Sequence, residues 1–346
     1  MSSSPVVVIG GSAGAIPALQ TLLGGLPASF AAPILIVQHL AADAPSLLPH
    51  ILERACHLPA HQPVDGEPLR PGVVYVAPPD HHLLVDGDRA SVTRGPKENR
   101  FRPSVDALFR SAAYTRGRDV VGVVLSGLLD DGTSGLWTVK RRGGVAVVQH
   151  PDDAQFPDMP LSALREVEVD HVVPIQAMAE LLTRLVGEFA GREGESRMSE
   201  REEERLRIEV GIAREENPLK LGVTRLGAAS LMTCPECQGV LVSLEEGATV
   251  RFRCHTGHAY TAAALLSEQT KAEEDKAYQL QRAMEEKLLL MLQLADLCEG
   301  RGDRTGARAF HEKAQETEAR LGRVRALALR SAGPDVVRNA MASSDD

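Results

Sequence analysis

Five short apolar runs, rich in β-branched residues, are the feature of this sequence that most restricts its fold. Each run is unbroken, which predicts a strand buried on both faces of a parallel sheet. Stretches with helical periodicity lie between most of the runs, as a doubly wound α/β fold requires. The segment GVVYVAPPDHHLLVDGDRASVT also predicts antiparallel hairpins, with Asp-Gly as a turn. The five runs are VVVIG, PILIVQ, GVVYVAP, VVGVVLSG and GVAVVQ.

Changes in composition divide the chain into parts. Its 346 residues exceed the size of about 250 residues at which a single core usually stops growing, so we predict more than one domain. The predicted parts are an α/β domain at 1–187, a charged linker at 188–218, a compact cysteine-containing segment at 219–261, an α-helical hairpin at 262–332 and a disordered tail at 333–346. Core packing is the first explanation for the apolar face of the hairpin, and homo-oligomer formation is the second.

The charge balance excludes some classes of partner. The chain has 38 Lys and Arg against 47 Asp and Glu, a net charge of -9, and no basic stripe with interleaved aromatic residues. Nucleic acid is therefore not an expected partner. No apolar run reaches the roughly 18 to 20 residues of a membrane span, and the N-terminus lacks the positive charge of a signal peptide. We expect a cytoplasmic protein without membrane insertion.

The turn after the first run, GGSAGA, presents a choice between a phosphate-binding loop and a nucleophile. A dinucleotide fingerprint needs glycine at the third and sixth positions, where this turn has Ser12 and Ala15, so nucleotide binding is disfavoured. The pattern G-x-S-x-G, formed by Gly10, Ser12 and Gly14, predicts a serine nucleophile on a sharp strand-to-helix turn. A helix N-cap is the simpler explanation for a lone serine, so a nucleophile requires partners.

Two such partners follow the ends of other predicted strands. His39 comes directly after PILIVQ, and Asp131 comes after VVGVVLSGLL with Asp130 beside it. A serine needs a base within hydrogen-bond reach, and the base needs an orienting acid. Such groups gather at the carboxyl ends of strands in an open α/β sheet. Although the aspartates could instead cap a helix, the joint placement predicts a triad of Ser12, His39 and Asp131. The chain order differs from that of the α/β-hydrolases and indicates another family.

Seven motifs follow one another between Val6 and Leu185, namely IGGSAG, IVQHL, VDGEPLRPGVVYVAPPDHHLLV, RPSVDALFRSAA, GVVLSGLLDDGTSG, GGVAVVQHPDDAQFPDMP and VDHVVPI. In sequence and in order they resemble the motifs of the protein-glutamate methylesterases of bacterial chemotaxis. The resemblance implies Ser12 as nucleophile and His39 as general base and then acid. It favours Asp131 over Asp130 as the orienting carboxylate, because Asp131 directly precedes a glycine.

The same resemblance implies an activity. Its substrate is a glutamyl methyl ester on a chemoreceptor or on another methylated signalling protein, and methanol is released. Deamidation of glutamine by the same acyl-enzyme chemistry is implied as a second activity, and catalysis needs no cofactor. Backbone amides near Ser12 and Ala13 are expected to stabilise the oxyanion. A scaffolding protein that uses the fold and the C-terminal module for docking is the alternative.

One departure from the family concerns regulation. The chemotaxis enzymes commonly carry an N-terminal phosphoacceptor domain, whereas the first predicted catalytic strand of this sequence begins at Val6. We therefore expect a catalytic domain without that receiver domain.

A cysteine cluster predicts a metal site in the segment at 219–261. Cys234-x-x-Cys237 is followed, after sixteen residues, by Cys254 with His255 and His258. This spacing is typical of tetrahedral zinc, and we predict Cys234, Cys237, Cys254 and His258 as ligands of a structural ion. His255 is the less favoured fourth ligand, because adjacent Cys254 and His255 would strain to reach one ion. A reactive thiol pair or ordinary cysteines are the competing explanations.

Overall fold

A computed structural model describes residues 5–40, 45–189, 196–247 and 249–331 of the chain. The chain divides into two compact units, Met1–Ala264 and Leu265–Asp346. The tail predicted at 333–346 lies outside the described residues. Within the described residues, no helix combines the length and the apolar character that a membrane span requires.

Parallel strands form the main sheet. The first nine strands of the chain are β1 (Val6–Gly11), β2 (Ile34–Gln38), β3 (Ala60–His61), β4 (Val74–Val76), β5 (His82–Asp86), β6 (Arg89–Thr93), β7 (Val120–Val124), β8 (Val145–Gln149) and β9 (His171–Val173). Seven of them pair in parallel in the order β3-β4-β2-β1-β7-β8-β9. The other two, β5 and β6, form the antiparallel hairpin that the Asp-Gly turn predicts.

Helices cover both faces of the sheet. The helices concerned are α1 (Ala15–Gly24), α2 (Leu48–Glu53), α3 (Val105–Arg116), α4 (Thr133–Arg141), α5 (Asp158–Glu166) and α6 (Ile175–Glu188). Val7 and Ile9 of β1 pack with residues of α1, α2 and α6, whereas Val6 and Val8 pack with residues of α3, α4 and α5. Each fully buried apolar side chain contributes roughly 1.5–3 kcal/mol. The predicted doubly wound α/β fold is confirmed.

The segment predicted as a charged linker contains packed helices. They are α7 (Glu200–Ala213) and α8 (Pro218–Leu221), and residues 190–195 are not described. A capping box between Ser199 and Glu202 starts α7, which then packs against α3. The linker prediction is therefore wrong over α7. The high charge of the segment indicated a solvent-exposed linker, but one of its charged residues, Glu209, is buried in ion pairs.

Residues 228–261 form a second sheet, which we call the ribbon. Its antiparallel strands are β10 (Ala228–Thr233), β11 (Val240–Glu246), β12 (Thr249–Cys254) and β13 (Ala259–Thr261), in that order. Their apolar cluster is small, and it includes Ile208 and Ile212 of α7 beside Leu244 of β11. The ribbon thus shares its core with α7.

Two long helices follow the ribbon, α9 (Ala262–Gly300) and α10 (Arg304–Ser331), and they match the predicted hairpin. Gly302, with φ of +80°, lies in the turn between them. An ion pair of 2.6 Å joins Glu285 of α9 to Arg325 of α10. Apolar residues on both helices are buried, namely Met291, Ala295, Ala307, Ala314 and Leu321.

Candidate active site

Three adjacent strands bring the predicted catalytic residues together. Ser12 follows β1, His39 follows β2 and Asp131 lies between β7 and α4. Since β2, β1 and β7 are parallel neighbours, their carboxyl ends lie at one edge of the sheet. Residues that are far apart in sequence therefore meet in space.

His39 lies between the other two side chains. Its Nδ1 is 3.1 Å from Ser12 Oγ, and its Nε2 is 2.8 Å from Asp131 Oδ2. A proton on Nε2 lets the ring donate to the carboxylate and leaves Nδ1 to accept the serine proton. The distances match those that serine hydrolysis requires between a nucleophile, its base and an orienting acid.

Glycines shape the turn that carries Ser12. Gly14 has φ of +73° and is the N-cap residue of α1, with no side-chain capping hydrogen bond. A Cβ on Gly10 would lie only 2.1 Å from Val105 Cγ1, so this position needs glycine. Because Gly14 caps α1, the N-cap explanation for Ser12 does not apply.

The two amides expected to stabilise an oxyanion differ. The Ser12 amide donates to the carbonyl of Ser126 at 3.0 Å, so the expectation for that amide is wrong. In the described part of the chain the Ala13 amide has no hydrogen-bond partner. Ala13 is therefore the amide that remains free to stabilise an oxyanion.

Asp131 is a buried carboxylate with several donors. Oδ2 accepts hydrogen bonds from His39 and from the Val105 amide, and Oδ1 accepts from Asn99 Nδ2 and Ser104 Oγ at 2.9 Å each. Burial alone would raise the pKa of Asp131, but the hydrogen bonds from His39 and Asn99 and the nearby His39 charge hold it below its ordinary value. Asp131 therefore stays ionised at neutral pH.

The neighbouring Asp130 has another partner. Its Oδ1 accepts a hydrogen bond from Thr261 Oγ1 of the ribbon at 2.8 Å. Burial raises the pKa of Asp130 to about 6, although the hydrogen bond from Thr261 acts in the opposite direction. The structure thus distinguishes the two aspartates, because Asp131 faces His39 and Asp130 faces the ribbon.

Sequence reasoning missed the residues that surround the triad on α3 and on the loop before it. The Phe101 ring stacks on His39 with 3.7 Å between centroids and 8° between planes. Asn99 and Ser104 hydrogen-bond to Asp131, and burial together with the Asp131 charge raises the pKa of Asp106 to about 8. A positive φ of 49° at Asn99 is typical of asparagine in a turn, but no pattern in the sequence shows that this turn faces Asp131.

The four predicted metal ligands lie together in the ribbon. Their ligand atoms, from Cys234, Cys237, Cys254 and His258, all lie within 4.8 Å of one another. His258 Nδ1 is 3.7 Å from Cys234 Sγ and 3.6 Å from Cys254 Sγ. The exposed His255 lies instead over Gly239 and is not part of the group. Three thiol donors and one imidazole form a set suited to tetrahedral zinc.

A buried ion network joins the ribbon to the α/β domain. Arg253 of β12 contacts Glu98 Oε1 at 2.8 Å and Glu209 Oε1 of α7 at 2.7 Å. Arg110 of α3 also pairs with Glu98, and Arg251 lies 3.0 Å from Glu209. Burial raises the pKa values of Glu98 and Glu209, but the arginine charges outweigh it and hold both below the ordinary value. The ribbon is therefore docked by specific, desolvated charges.

Comparison with known proteins decides the family. A profile described as CheB methylesterase matches residues 7–182, more than half of the 346 residues. The chain belongs to the CheB methylesterase family. Methylesterases are carboxylic ester hydrolases, so the predicted family and class of enzyme are confirmed, and a non-catalytic scaffold is not favoured.

Relatives differ in how much of their own length matches this chain. A Leptospira interrogans protein, provisionally named protein-glutamate methylesterase/protein-glutamine glutaminase, is 42% identical over 180 residues, which are 52% of this chain and 93% of the relative. Protein-glutamate methylesterase/protein-glutamine glutaminase 3 of Anaeromyxobacter dehalogenans is 42% identical over 51% of this chain and 52% of its own length. The crystal structure of the Thermotoga maritima CheB methylesterase catalytic domain matches with a TM-score of 0.51 and 33% identity, over 53% of this chain and 99% of that one.

Proposed function

We propose that this methylesterase hydrolyses glutamyl methyl esters on chemoreceptors, or on another methylated signalling protein, with Ser12, His39 and Asp131 as its catalytic residues. The observation that carries the proposal is the position of His39, whose two ring nitrogens lie within hydrogen-bond distance of Ser12 Oγ and Asp131 Oδ2. The names of the relatives support the substrate class.

The reaction follows from these contacts. Ser12 Oγ attacks the ester carbonyl while His39 Nδ1 takes the hydroxyl proton, and Asp131 stabilises the charged imidazole. The Ala13 amide donates to the oxyanion. His39 then gives its proton to the departing methoxide, methanol leaves, and water attacks the acyl-enzyme with His39 again as base. Glutamine follows the same path with ammonia as the leaving group, which matches the second activity in the relatives' names.

The direct test uses chemoreceptor membranes that carry radiolabelled methyl esters. Wild-type protein should release volatile methanol, and Ser12→Ala should lower the rate by about 10³-fold or more because the nucleophile is lost. A fluorophosphonate probe should label the wild type at Ser12 and leave Ser12→Ala unlabelled. Methanol release by a folded Ser12→Ala protein would remove Ser12 from the mechanism, and absence of both release and label in the wild type would favour the scaffold.

We also propose that Cys234, Cys237, Cys254 and His258 bind one structural zinc ion. Two features support this: the short distances between their ligand atoms and the small apolar core of the ribbon. A bound ion would cross-link the β10–β11 turn to the β12–β13 turn and contribute to folding. With four protein ligands, such a site has no open position for catalysis.

Metal content tests the zinc proposal. Purified wild type should hold about one zinc ion per chain, as expected for a four-ligand site. Cys237→Ser should lose it, whereas His255→Ala should keep it because His255 lies outside the group. Equal zinc content in Cys237→Ser and wild type would contradict the proposed ligand set.

Two expectations stay predictions, a cytoplasmic location and a homo-oligomer through α9 and α10. Leu289 and Leu290 of α9 are 61% and 56% exposed, which gives the second expectation a surface to test. Light scattering of the wild type and of a Leu289→Glu variant should show twice the chain mass only in the wild type. A monomeric wild type would contradict the prediction.

A further inference from the structure

The loop at residues 98–101 touches both partners of the proposed nucleophile. Asn99 Nδ2 donates to Asp131 Oδ1 at 2.9 Å, and the Phe101 ring stacks on His39. Asn99 is only 3% exposed, so it does not reach a substrate. Any effect of Asn99 on the reaction must therefore act through the groups that it contacts, of which Asp131 belongs to the proposed triad.

The ribbon holds the same loop from the other side. The Asn99 backbone amide donates to Ala259 O of β13 at 2.8 Å, and the Ala259 amide donates to Lys97 O. The Thr261 amide donates to the side-chain Oδ1 of Asn99 at 2.9 Å. The Thr261 amide can only donate, so it fixes the Asn99 Oδ1 acceptor toward the ribbon. The Nδ2 of Asn99 then faces the carboxylates of Asp131 and Asp106.

The contact between β13 and the loop is anchored by buried charge. Glu98, the residue before Asn99, pairs with Arg253 of β12, and both side chains are at most 1% exposed. Separation of the ribbon from the loop would break this buried pair, and a buried ion pair that loses one partner is strongly destabilised. The ribbon therefore keeps one fixed position against the 98–101 loop.

We infer that Asn99 is a positioning residue for Asp131 and that strand β13 of the ribbon orients it, so that the ribbon completes the esterase site of this chain. This inference rests on the proposed function, in which Asp131 is the acid that orients His39. The CheB methylesterase profile matches residues 7–182, so the ribbon at 228–261 lies outside the part of this chain that the profile covers.

Several groups face Asp131 besides Asn99, and they limit the size of the effect. Ser104 Oγ and the Val105 amide also donate to it, and His39 pairs with it. The other titratable and charged groups nearby are Asp106 with Arg110 on α3, Asp130 beside Asp131, and the buried His82. Loss of Asn99 should therefore weaken the alignment of Asp131 without abolishing it.

The test measures the rate at which a fluorophosphonate labels Ser12 in the full-length protein between pH 5 and 9. Asn99→Gly is the informative variant, because glycine accepts the φ of +49° and only the side chain is lost. We expect the limiting rate to fall about tenfold through misalignment. We also expect the acid limb of the pH profile to move to higher pH, because Asp131 with one donor fewer interacts more strongly with the charged imidazole.

A matched control removes a contact to the ribbon from the residue just before the 98–101 loop. Lys97 pairs with Glu236 at 3.1 Å on the surface, so Lys97→Ala should label within about twofold of wild type. The midpoint of thermal unfolding, measured for each variant, separates a change of alignment from loss of folded protein.

A second pair of variants tests the contribution of the ribbon itself. Thr261→Ala loses the hydroxyl contacts but keeps the amide that donates to Asn99, whereas Thr261→Pro also loses that amide. The proline variant should label about threefold or more slower than the alanine variant, with the same upward shift of the acid limb as Asn99→Gly.

The outcomes separate the two levels of inference. The role of Asn99 would be overturned if the wild type labels at Ser12 and Asn99→Gly labels with the same rate and pH profile. It would also be overturned if Asn99→Gly is slower only in proportion to its unfolded fraction. Equal labelling of Thr261→Pro and Thr261→Ala would overturn the role of the ribbon. A wild type that does not label at Ser12 would overturn the proposed function and, with it, this inference.

Discussion

The α/β domain and the ribbon reach a fixed structure by different interactions. Strands β1, β2, β7 and β8 of the main sheet are buried along their whole length, and apolar clusters cover both faces. The ribbon has a small apolar cluster that it shares with α7, together with a buried network of arginine and glutamate and a group of three cysteines and one histidine.

Because their stabilising interactions differ, the two regions hold functional residues in place in different ways. Apolar packing is non-directional, and in the main sheet the strand register decides which residues meet at the carboxyl edge. Buried ion pairs tolerate little displacement, because each charge depends on its partner. The ribbon can therefore dock in one orientation against Glu98 and the adjacent Asn99, and a small sheet gains a defined position beside the proposed triad.

The largest expected effect is a difference in activity between variants of two adjacent aspartates, Asp131 beside the triad and Asp130 beside the ribbon. Asp131→Asn should lower methanol release and Ser12 labelling by about 10³-fold, because the amide no longer holds His39 in the required tautomer and orientation. Asp130→Asn should lower them by less than about tenfold, since Asp130 contacts Thr261 of the ribbon. Rates measured for both folded variants check the prediction, and equal losses would mean that the two carboxylates share one role.

The next effect is a loss of free energy of unfolding, which differs between the α/β domain and the ribbon. Arg253→Leu should lower the free energy of unfolding by about 3–5 kcal/mol, because Glu98 and Glu209 keep their charges but lose a partner. Ile9→Val in β1 should cost about 0.5–1.5 kcal/mol, the usual loss for one buried methylene. Urea denaturation measures both. An Arg253→Leu protein as stable as Ile9→Val would show that the network adds little to docking.

A third effect, smaller than the loss expected for Arg253→Leu, is the response of the ion network to acid. The arginines hold the pKa values of Glu98 and Glu209 below the ordinary value of about 4.3, so their stabilisation is present above that pH and is lost as the pH falls through the folded-state values. The free energy of unfolding should fall below about pH 4.5, by on the order of 1–3 kcal/mol for such a group.

The control for acid sensitivity isolates one glutamate. Glu209→Gln should show a shallower fall between pH 5 and 3 than wild type, while the exposed Glu200→Gln should follow the wild-type curve. Unfolding curves at stepwise lower pH provide the comparison. Identical acid dependence in wild type and Glu209→Gln would exclude the network as its source.

Sequence patterns predicted the main sheet and the meeting of Ser12, His39 and Asp131, because strand ends can be located from short apolar runs and parallel strands end at one edge. The same reasoning was wrong for α7. Its charged residues include Glu209, whose burial depends on arginines of α3 and β12 that lie far away in the chain.

By itself, the sequence determined the fold class and picked out two groups of candidate residues, the proposed triad and the proposed metal ligands. Local periodicity, glycine placement and cysteine spacing are properties of neighbouring residues. Only the tertiary structure decided that Asp131 faces His39 while Asp130 faces Thr261, and that Asn99 lies between Asp131 and the ribbon. These contacts join residues 30 or more positions apart, and the direction of each buried polar group is set by the partners that surround it after folding.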